Sequence, residues 1–408
     1  MQRATRLAGA LLAMCLAVSG LAVGVGAQDT SPSPAPRADW SMLRGWLLEI
    51  IGDLTAPANP ASPAPGTMQP GESVAPAGDG PTVEQLIGQK LVVRMTGVTP
   101  SADLLGRIGR GEVGGVILFG SNVTTPEALV ALTGTLRKAA SAGGQAPLLI
   151  AVDQEGGSIK RIPWAPPTLD PPAMGTLGSV SEAFSQGAST ASALRDLGIN
   201  VDLAPVADVP ATTASFMYQQ GRTWSFSATN TASLANAFAS GLESAGVVPS
   251  MKHFPGIGYA TSNTDSNVVT ITQSVDALAP GLRPYRTAIG DAIPLIMLSN
   301  AVYPAYDGAA GAGWSTAIAG QLLRGDLGFK GVTITDSLDG AATARGVTTR
   351  SLAVLAATAG TDMILVTGSE ASTRDEYAWL LAAATSGAIP RATLQASYDR
   401  ILALKSTL

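Results

Sequence analysis

Asp336 stands at the end of Gly331-Val332-Thr333-Ile334-Thr335, an apolar run of strand character. A carboxylate delivered in this way can attack an anomeric carbon or stabilise the positive charge that develops there. It can equally cap the turn that follows, and spacing alone leaves both readings open. Asp153-Gln154-Glu155-Gly156-Gly157 sets two carboxylates in a turn whose glycines let the backbone approach a ligand closely. Asp153 there suits bidentate hydrogen bonding to vicinal hydroxyls, or an ion pair with Lys160 or Arg161 that holds the loop. Lys252-His253-Phe254-Pro255-Gly256 adds an amine that can donate to hydroxyls, together with the sole histidine of the chain. A lone histidine at a strand end is either a hydrogen-bonded core group or a ligand contact.

Other chemistries fit poorly. No Gly-x-Ser-x-Gly elbow is present, and a serine triad would have to use His253. One histidine, and one cysteine inside the N-terminal leader, leave mainly carboxylates as metal ligands, so neither a metal nor another cofactor is expected. The balance of 25 Lys+Arg against 30 Asp+Glu, net charge -5, gives no electrostatic reason to expect a nucleic-acid partner. Neutral sugars, by contrast, place no demand on net charge.

The elements that must position these side chains are eight short apolar runs: 91–95, 115–119, 148–152, 201–205, 248–252, 295–298, 332–335 and 363–366. Amphipathic segments at 126–139, 180–197, 231–245, 274–289 and 349–359 separate several of them. This alternation predicts an α/β fold with a parallel sheet. Asp153, Lys252-His253, Ser299-Asn300 and Asp336 all fall just after strands. In a closed (β/α)8 barrel such positions converge on one rim, whereas in a doubly wound open sheet they do not all face one crevice. The barrel is therefore the expectation for residues 82–408.

The preceding residues read differently. Residues 1–27 open with Arg3 and Arg6, continue as a long apolar run, and reach Val25-Gly26-Ala27, the pattern of a secretory signal cleaved after Ala27. A lipid anchor at Cys15 requires small residues just before it, which Met14 fits poorly. Residues 28–81 are rich in Pro, Ala, Ser and Gly, as in a linker. Within it, 38–54 shows helical spacing of Trp40, Leu43, Trp46, Leu47, Ile50, Ile51 and Leu54. It reads as a helix docked on the barrel or a spacer rather than a membrane-surface helix, since it is not rich in Lys or Arg. Together these features predict a secreted or cell-envelope protein without a firm membrane partner, and leave its oligomeric state open.

At its motifs the chain resembles glycoside hydrolase family 3, specifically the single-barrel β-N-acetylhexosaminidases of bacterial wall turnover. The motifs occur in order: Val116–Gly120, Asp153–Gly157, Leu197–Val209, Gly221-Arg222 with Ser225-Phe226, Lys252–Gly256, and Thr335-Asp336. The resemblance implies that Asp336 is the nucleophile of a retaining mechanism. It also implies that Asp153, Arg161, Arg222, Lys252 and His253 hold the sugar. Asp202 and Asp208 read as structural.

The chain departs from that family at the acid/base. The family pattern Lys-His-Phe-Pro-Gly-His-Gly continues into Asp-x-His, whose histidine is the general acid/base. Here Ile257 replaces the first of these histidines, and the loop 259–267 ends Asp265-Ser266-Asn267. Asn300 stands where another histidine often follows the sixth strand. An amide cannot donate a proton to a leaving oxygen as imidazole can. Asp265 is then either a direct acid/base or an anchor that orders its loop through Asn263 or Asn267. The leading expectation is a retaining glycosidase of β-linked N-acetylhexosamine or a related β-glycoside. A catalytically weakened carbohydrate-binding pseudoenzyme and a phosphorolytic or transfer enzyme are the alternatives.

Overall fold

A computed structural model describes residues 80–408 of the chain. The leader, linker and amphipathic stretch expected within 1–81 lie almost entirely outside the described residues. The eight barrel strands are β1 Leu91–Arg94, β2 Gly115–Leu118, β3 Leu149–Val152, β4 Val201–Asp202, β5 Val248–Phe254, β6 Leu295–Leu298, β7 Val332–Thr335 and β8 Ile364–Val366. All pair in parallel, in the order β7-β6-β5-β4-β3-β2-β1-β8. The ring closes between β7 and β8, where Met363 N–H donates to the Thr333 carbonyl (2.8 Å) and Thr335 N–H to the Met363 carbonyl (3.1 Å). The barrel expected from the alternation is the one the chain forms.

Each strand is buried on both faces, which is why it reads as an apolar run rather than an alternating one. One apolar cluster fills the barrel: Val92, Ile117, Leu149, Ala151, Val201, Leu203, Val248, Leu295, Met297, Val332, Ile334 and Leu365, with Ile401 and Leu404 of the C-terminal helix beneath. The larger cluster lies between strands and helices. Side chains two residues apart on a strand share a face. Continuing the inward positions upward leads from Ala151 to Asp153, from Val332 and Ile334 to Asp336, and from Ile117 to Phe119. The same alternation leads from Leu365 to Thr367, so the rim chemistry is set by the phase of the core.

The expected helices form at Pro126–Ala142, Val180–Asp196, Ala228–Ser244 and Thr349–Ala359. Pro126 opens the first of these, and the Thr125 hydroxyl accepts from Ala128 N–H. The segment expected as one helix at 274–289 instead forms Val275–Leu278, a 3-10 turn Ala279–Leu282 and the helix Arg283–Gly290. Pro280 and Pro284 lack the N–H groups a continuous helix would need. Two hairpins were not expected from the pattern. Gln154–Gly156 pairs with Ile159–Lys160, and Val302–Tyr303 with Asp307–Gly311. The first is turned by Gly156 and Gly157 at φ 100° and 58°, backbone conformations natural to glycine.

Candidate active site

At the C-terminal mouth of the barrel, a cavity of about 150 Å³ gathers Asp153, Glu155, Arg161, Arg222, Lys252, His253, Asp265 and Asp336. All seven residues singled out from the sequence therefore line one cavity, joined by Glu155. Aliphatic side chains of the barrel interior, Ile117, Leu203, Met297 and Leu365, form its base.

Asp336 extends the β6–β7 ladder by one step, its N–H donating to the Leu298 carbonyl at 2.9 Å. Its Oδ1 accepts the Ser337 N–H at 2.8 Å, while Oδ2 faces His253 Nε2 at 4.0 Å. One oxygen thus serves the local turn and the other faces the cavity. His253 Nδ1 lies 2.7 Å from Asp208 Oδ2, and Asp208 Oδ1 also accepts Ile257 N–H at 2.7 Å. A carboxylate only accepts, so Nδ1 is the donating nitrogen and the ring is held edge-on to the cavity. Asp208, expected to be structural, holds this histidine and the Ile257 backbone in place.

The other wall is an ion network. Lys252 Nζ lies 2.7 Å from Asp153 Oδ1 and 2.6 Å from Glu155 Oε1. Arg222 grips Glu155 with both arms, Nε to Oε2 at 2.8 Å and Nη2 to Oε1 at 2.7 Å. Burial alone would push the Glu155 carboxyl up, but the Arg222 and Lys252 charges outweigh it and hold it down to about 2. Burial likewise disfavours the Lys252 ammonium, and the Asp153 and Glu155 charges more than restore it. Arg161 reaches Asp153 Oδ2 at 3.6 Å and lies over the Phe119 ring. Asp153 therefore pairs with Lys252 as well as with Arg161, while Lys160 pairs along the hairpin backbone. Asp202 sits beneath, fully buried, with Oδ1 accepting Gln154 N–H at 2.9 Å; burial pushes its carboxyl up to about 8.

The loop that carries Asp265 is ordered by Asn263 and Asn267 rather than by the Asp265 carboxyl. Asn263 orders the turn by accepting Asp265 N–H on its side-chain oxygen at 2.9 Å, and Asn267 Nδ2 donates back to the Asn263 carbonyl at 3.1 Å. Asn267 is exposed and does not line the cavity. The Asp265 carboxyl is thereby released from loop duty and turns inward, where Asn300 Nδ2 donates to its Oδ1 at 3.2 Å. Asn300 Nδ2 also donates to the Ser337 carbonyl at 3.0 Å, tying the Asp265 loop to the Asp336 turn. The loop packs directly on the helix Leu338–Arg345 because Gly340 has no side chain; a Cβ there would collide with the Asp265 carbonyl oxygen. Burial, and then the negative charge of Asp336, push the Asp265 carboxyl up to about 7.

Glu155 and Asn300 were visible in the sequence as residues of interest, but their partners lie far along the chain. Arg222 is 67 residues from Glu155 and Asp265 is 35 from Asn300, so no local spacing could pair them.

Residues 82–404 match the glycosyl hydrolase family 3 N terminal domain. A secreted glycosyl hydrolase of Arthroderma benhamiae is 35% identical over 327 residues, covering 79% of this chain and 92% of its own. A beta-hexosaminidase of Bordetella avium is 34% identical over 272 residues, 64% of this chain and 75% of its own. Among solved structures, a glycoside hydrolase family 3 beta-N-acetylglucosaminidase from Paenibacillus sp. str. FPU-7 superposes with a TM-score of 0.77 at 31% identity. That match covers 80% of this chain and 63% of the longer protein, so the chain spans under two thirds of it. The beta-N-acetylhexosaminidase of Beutenbergia cavernae gives a TM-score of 0.73 at 32% identity, over 80% of this chain and 99% of that one.

Proposed function

The chain belongs to glycosyl hydrolase family 3, whose members cleave O-glycosyl bonds, and we propose that it is a retaining β-N-acetylhexosaminidase with Asp336 as nucleophile and Asp265 as acid/base. One observation carries this reading. Asp265, not Asn267, faces Asp336 in the cavity, and its carboxyl is pushed up to about 7, so it holds a proton near neutrality. A carboxyl that keeps its proton, set beside a second carboxyl in one cavity, is what a double displacement requires.

In the first step Asp336 Oδ2 bonds to the anomeric carbon as the bond to the leaving oxygen breaks, and Asp265 gives that oxygen its proton. In the second, Asp265 takes a proton from water, the water oxygen bonds to the anomeric carbon, and the bond to Asp336 breaks. The developing positive charge of the sugar is balanced by the Asp336 carboxylate. His253, fixed by Asp208, packs beside Asp336 and limits its rotation. Asp153, Arg161, Lys252 and Arg222 present fixed donors and acceptors to hydroxyls, with Glu155 holding Lys252 and Arg222 together by offsetting their mutual repulsion. A cavity of about 150 Å³ closed below by aliphatic side chains suits one terminal sugar residue. Export from the cell belongs to the same proposal, supported by a relative that is a secreted glycosyl hydrolase, and a substrate of the bacterial wall type follows from the motif resemblance. No helix among the described residues is long and apolar enough to cross a membrane.

The competing reading, a weakened pseudoenzyme, draws on the outward Asn267 and on the absence of a histidine from that loop. An aryl β-N-acetylglucosaminide separates the two. The proposal expects turnover by the wild type and loss of it in Asp336→Asn. Equal, negligible release by both proteins, with sugar binding retained, would establish the pseudoenzyme instead.

A further inference from the structure

Asn300 lies just beyond β6, fully buried between the Asp265 loop and the turn of Asp336. Its side-chain nitrogen has two acceptors within reach, Asp265 Oδ1 at 3.2 Å and the Ser337 carbonyl at 3.0 Å. A carbonyl oxygen only accepts. The end of the amide that faces Ser337 is therefore the donating nitrogen, and the same nitrogen then faces Asp265. The reverse arrangement would set the Asn300 oxygen against the Ser337 carbonyl, acceptor to acceptor. In the arrangement that forms, the amide oxygen is buried without a partner. An open buried acceptor destabilises a fold, so the two bonds of the nitrogen, not the oxygen, fix this orientation.

The backbone of Asn300 is held as well. Its carbonyl accepts Arg345 Nη2 at 2.6 Å, and the Arg345 guanidinium lies over the Trp314 ring, 4.8 Å from its centroid. Arg345 ends the helix Leu338–Arg345, which starts directly after Ser337. Asn300 is thus tied to both ends of the segment that follows the nucleophile. A donor aimed at Asp265 Oδ1 also decides where that carboxyl keeps its proton. With Oδ1 accepting, the hydrogen of the neutral acid sits on Oδ2, which has no hydrogen-bond partner among the described residues. A proton on Oδ1 would instead face the Asn300 hydrogen across the same 3.2 Å. The amide carries no charge, so it orients the acid without the coulombic pull by which Arg222 and Lys252 keep Glu155 ionised.

We propose that Asn300 is a positioning residue that assigns the transferable proton to Asp265 Oδ2 and, through the Ser337 carbonyl, keeps that oxygen in register with Asp336. The proposal rests on the reading of Asp265 as acid/base and adds to it the group that selects its reactive oxygen. In the first step the proton passes from Oδ2 to the leaving oxygen, and the electron pair of the O–H bond stays on the carboxylate. In the second step Oδ2 takes a proton from the attacking water. Oδ1 keeps its bond from Asn300 throughout.

The test compares the wild type with Asn300→Ala and Asn300→Asp, with activity taken per folded molecule. Asp keeps the volume of Asn and removes the donor, so it repeats the test without opening a cavity. The quantity read is kcat/KM on two β-N-acetylglucosaminides, an alkyl one whose leaving oxygen needs a proton and a dinitrophenyl one whose leaving group does not. Both variants should lose about 10–10²-fold on the alkyl substrate and less than about threefold on the dinitrophenyl one. A merely structural asparagine would lower both alike, so equal losses overturn the proposal, as does an undiminished rate on the alkyl substrate. The pH profile of Asn300→Ala gives a second reading. The titratable and charged groups that face Asp265 are Asp336, His253 and Arg222. On the helix packed against its loop, Asp339 is bonded to Thr367 and Arg345 to the Asn300 carbonyl. The variant alters none of these side chains and removes one hydrogen bond to the ionised carboxyl, so the alkaline limb of kcat/KM should move to higher pH. An unmoved limb overturns the proposal. A wild type that hydrolyses neither substrate removes the proposed function and this role with it. A wild type that hydrolyses both, with variants that lose equally on both, removes the role of Asn300 alone.

Discussion

The two ends of the barrel hold the same kinds of charged side chain under opposite rules. At the closed end, opposite the cavity, Asp362 is fully buried and accepts five hydrogen bonds, from Arg324, from the Thr333 N–H and hydroxyl, and from two nitrogens of Arg400. Lys90 Nζ donates to the Thr361 carbonyl at 2.8 Å, and Lys405 Nζ to Gln89 Oε1 and the Gly114 carbonyl at 2.6 and 2.7 Å. Asp362, Lys90 and Lys405 are each spent on backbone or a fixed partner. At the mouth, Asp265 accepts one side-chain hydrogen bond and Asp336 one backbone bond, and both border open space. Saturated carboxylates seal a barrel, whereas undersatisfied ones facing a cavity are available to a ligand.

That contrast breaks first at Asp336. Replacing it with Asn should lower kcat/KM on any hydrolysed glycoside by about 10⁴-fold or more, with the melting temperature nearly unchanged. A fall in stability without a fall in activity per folded molecule would place Asp336 with the closed end instead. Asp265→Asn should follow, with a loss of about 10²–10⁴ on substrates with poor leaving groups and a smaller loss on activated aryl glycosides. Added azide should restore turnover of the activated substrates, since it needs no proton removed. The same residue sets a pH limit. With the Asp265 carboxyl pushed up to about 7, the wild-type kcat/KM should decline as pH rises through neutrality, because the acid form is consumed. In Asp265→Asn that limb should vanish; its persistence would assign the proton to another group.

At the closed end the effect should be on folding alone. Asp362→Ala leaves the half-buried Arg324 and Arg400 without their carboxylate and should cost about 1–3 kcal/mol of stability in denaturant titration, while activity per folded molecule stays at the wild-type level. The smallest effect concerns Lys405, whose ammonium burial pushes down to about 7 from 10.5. The unfolded chain binds that proton up to higher pH than the folded one does, so this group makes stability rise with pH between those values. Lys405→Met should flatten the rise, read from denaturant midpoints across that window; an unchanged slope would mean that the buried amine stays charged.

The strands were readable because both of their faces are buried, leaving β-branched apolar runs with sharp ends. The placement of the rim residues was readable because a two-residue alternation carries the inward phase of Val332 and Ile334 onto Asp336. Other features carried no local sign. Glu155 reads as one more acid in a turn until Arg222 and Lys252 close on it. Asn267 stands where the family resemblance implies a histidine, yet Asp265 is the side chain that enters the cavity, a choice made by the Asn263 turn and by Gly340. Lys405 and Gln89 meet across 316 residues, so they have no spacing to detect. The broken helix at 275–290 was written in Pro280 and Pro284, where apolar periodicity outran the missing N–H groups.

The central claim is that the Asp336 carboxylate forms a bond to sugar. Intact-protein mass spectrometry after incubation with a fluorinated β-N-acetylglucosaminide addresses it directly. One glycosyl mass per chain, mapped to the peptide that contains Asp336, is the predicted outcome. An unlabelled protein that nonetheless turns over an aryl glycoside, or a label on any other residue, would contradict it.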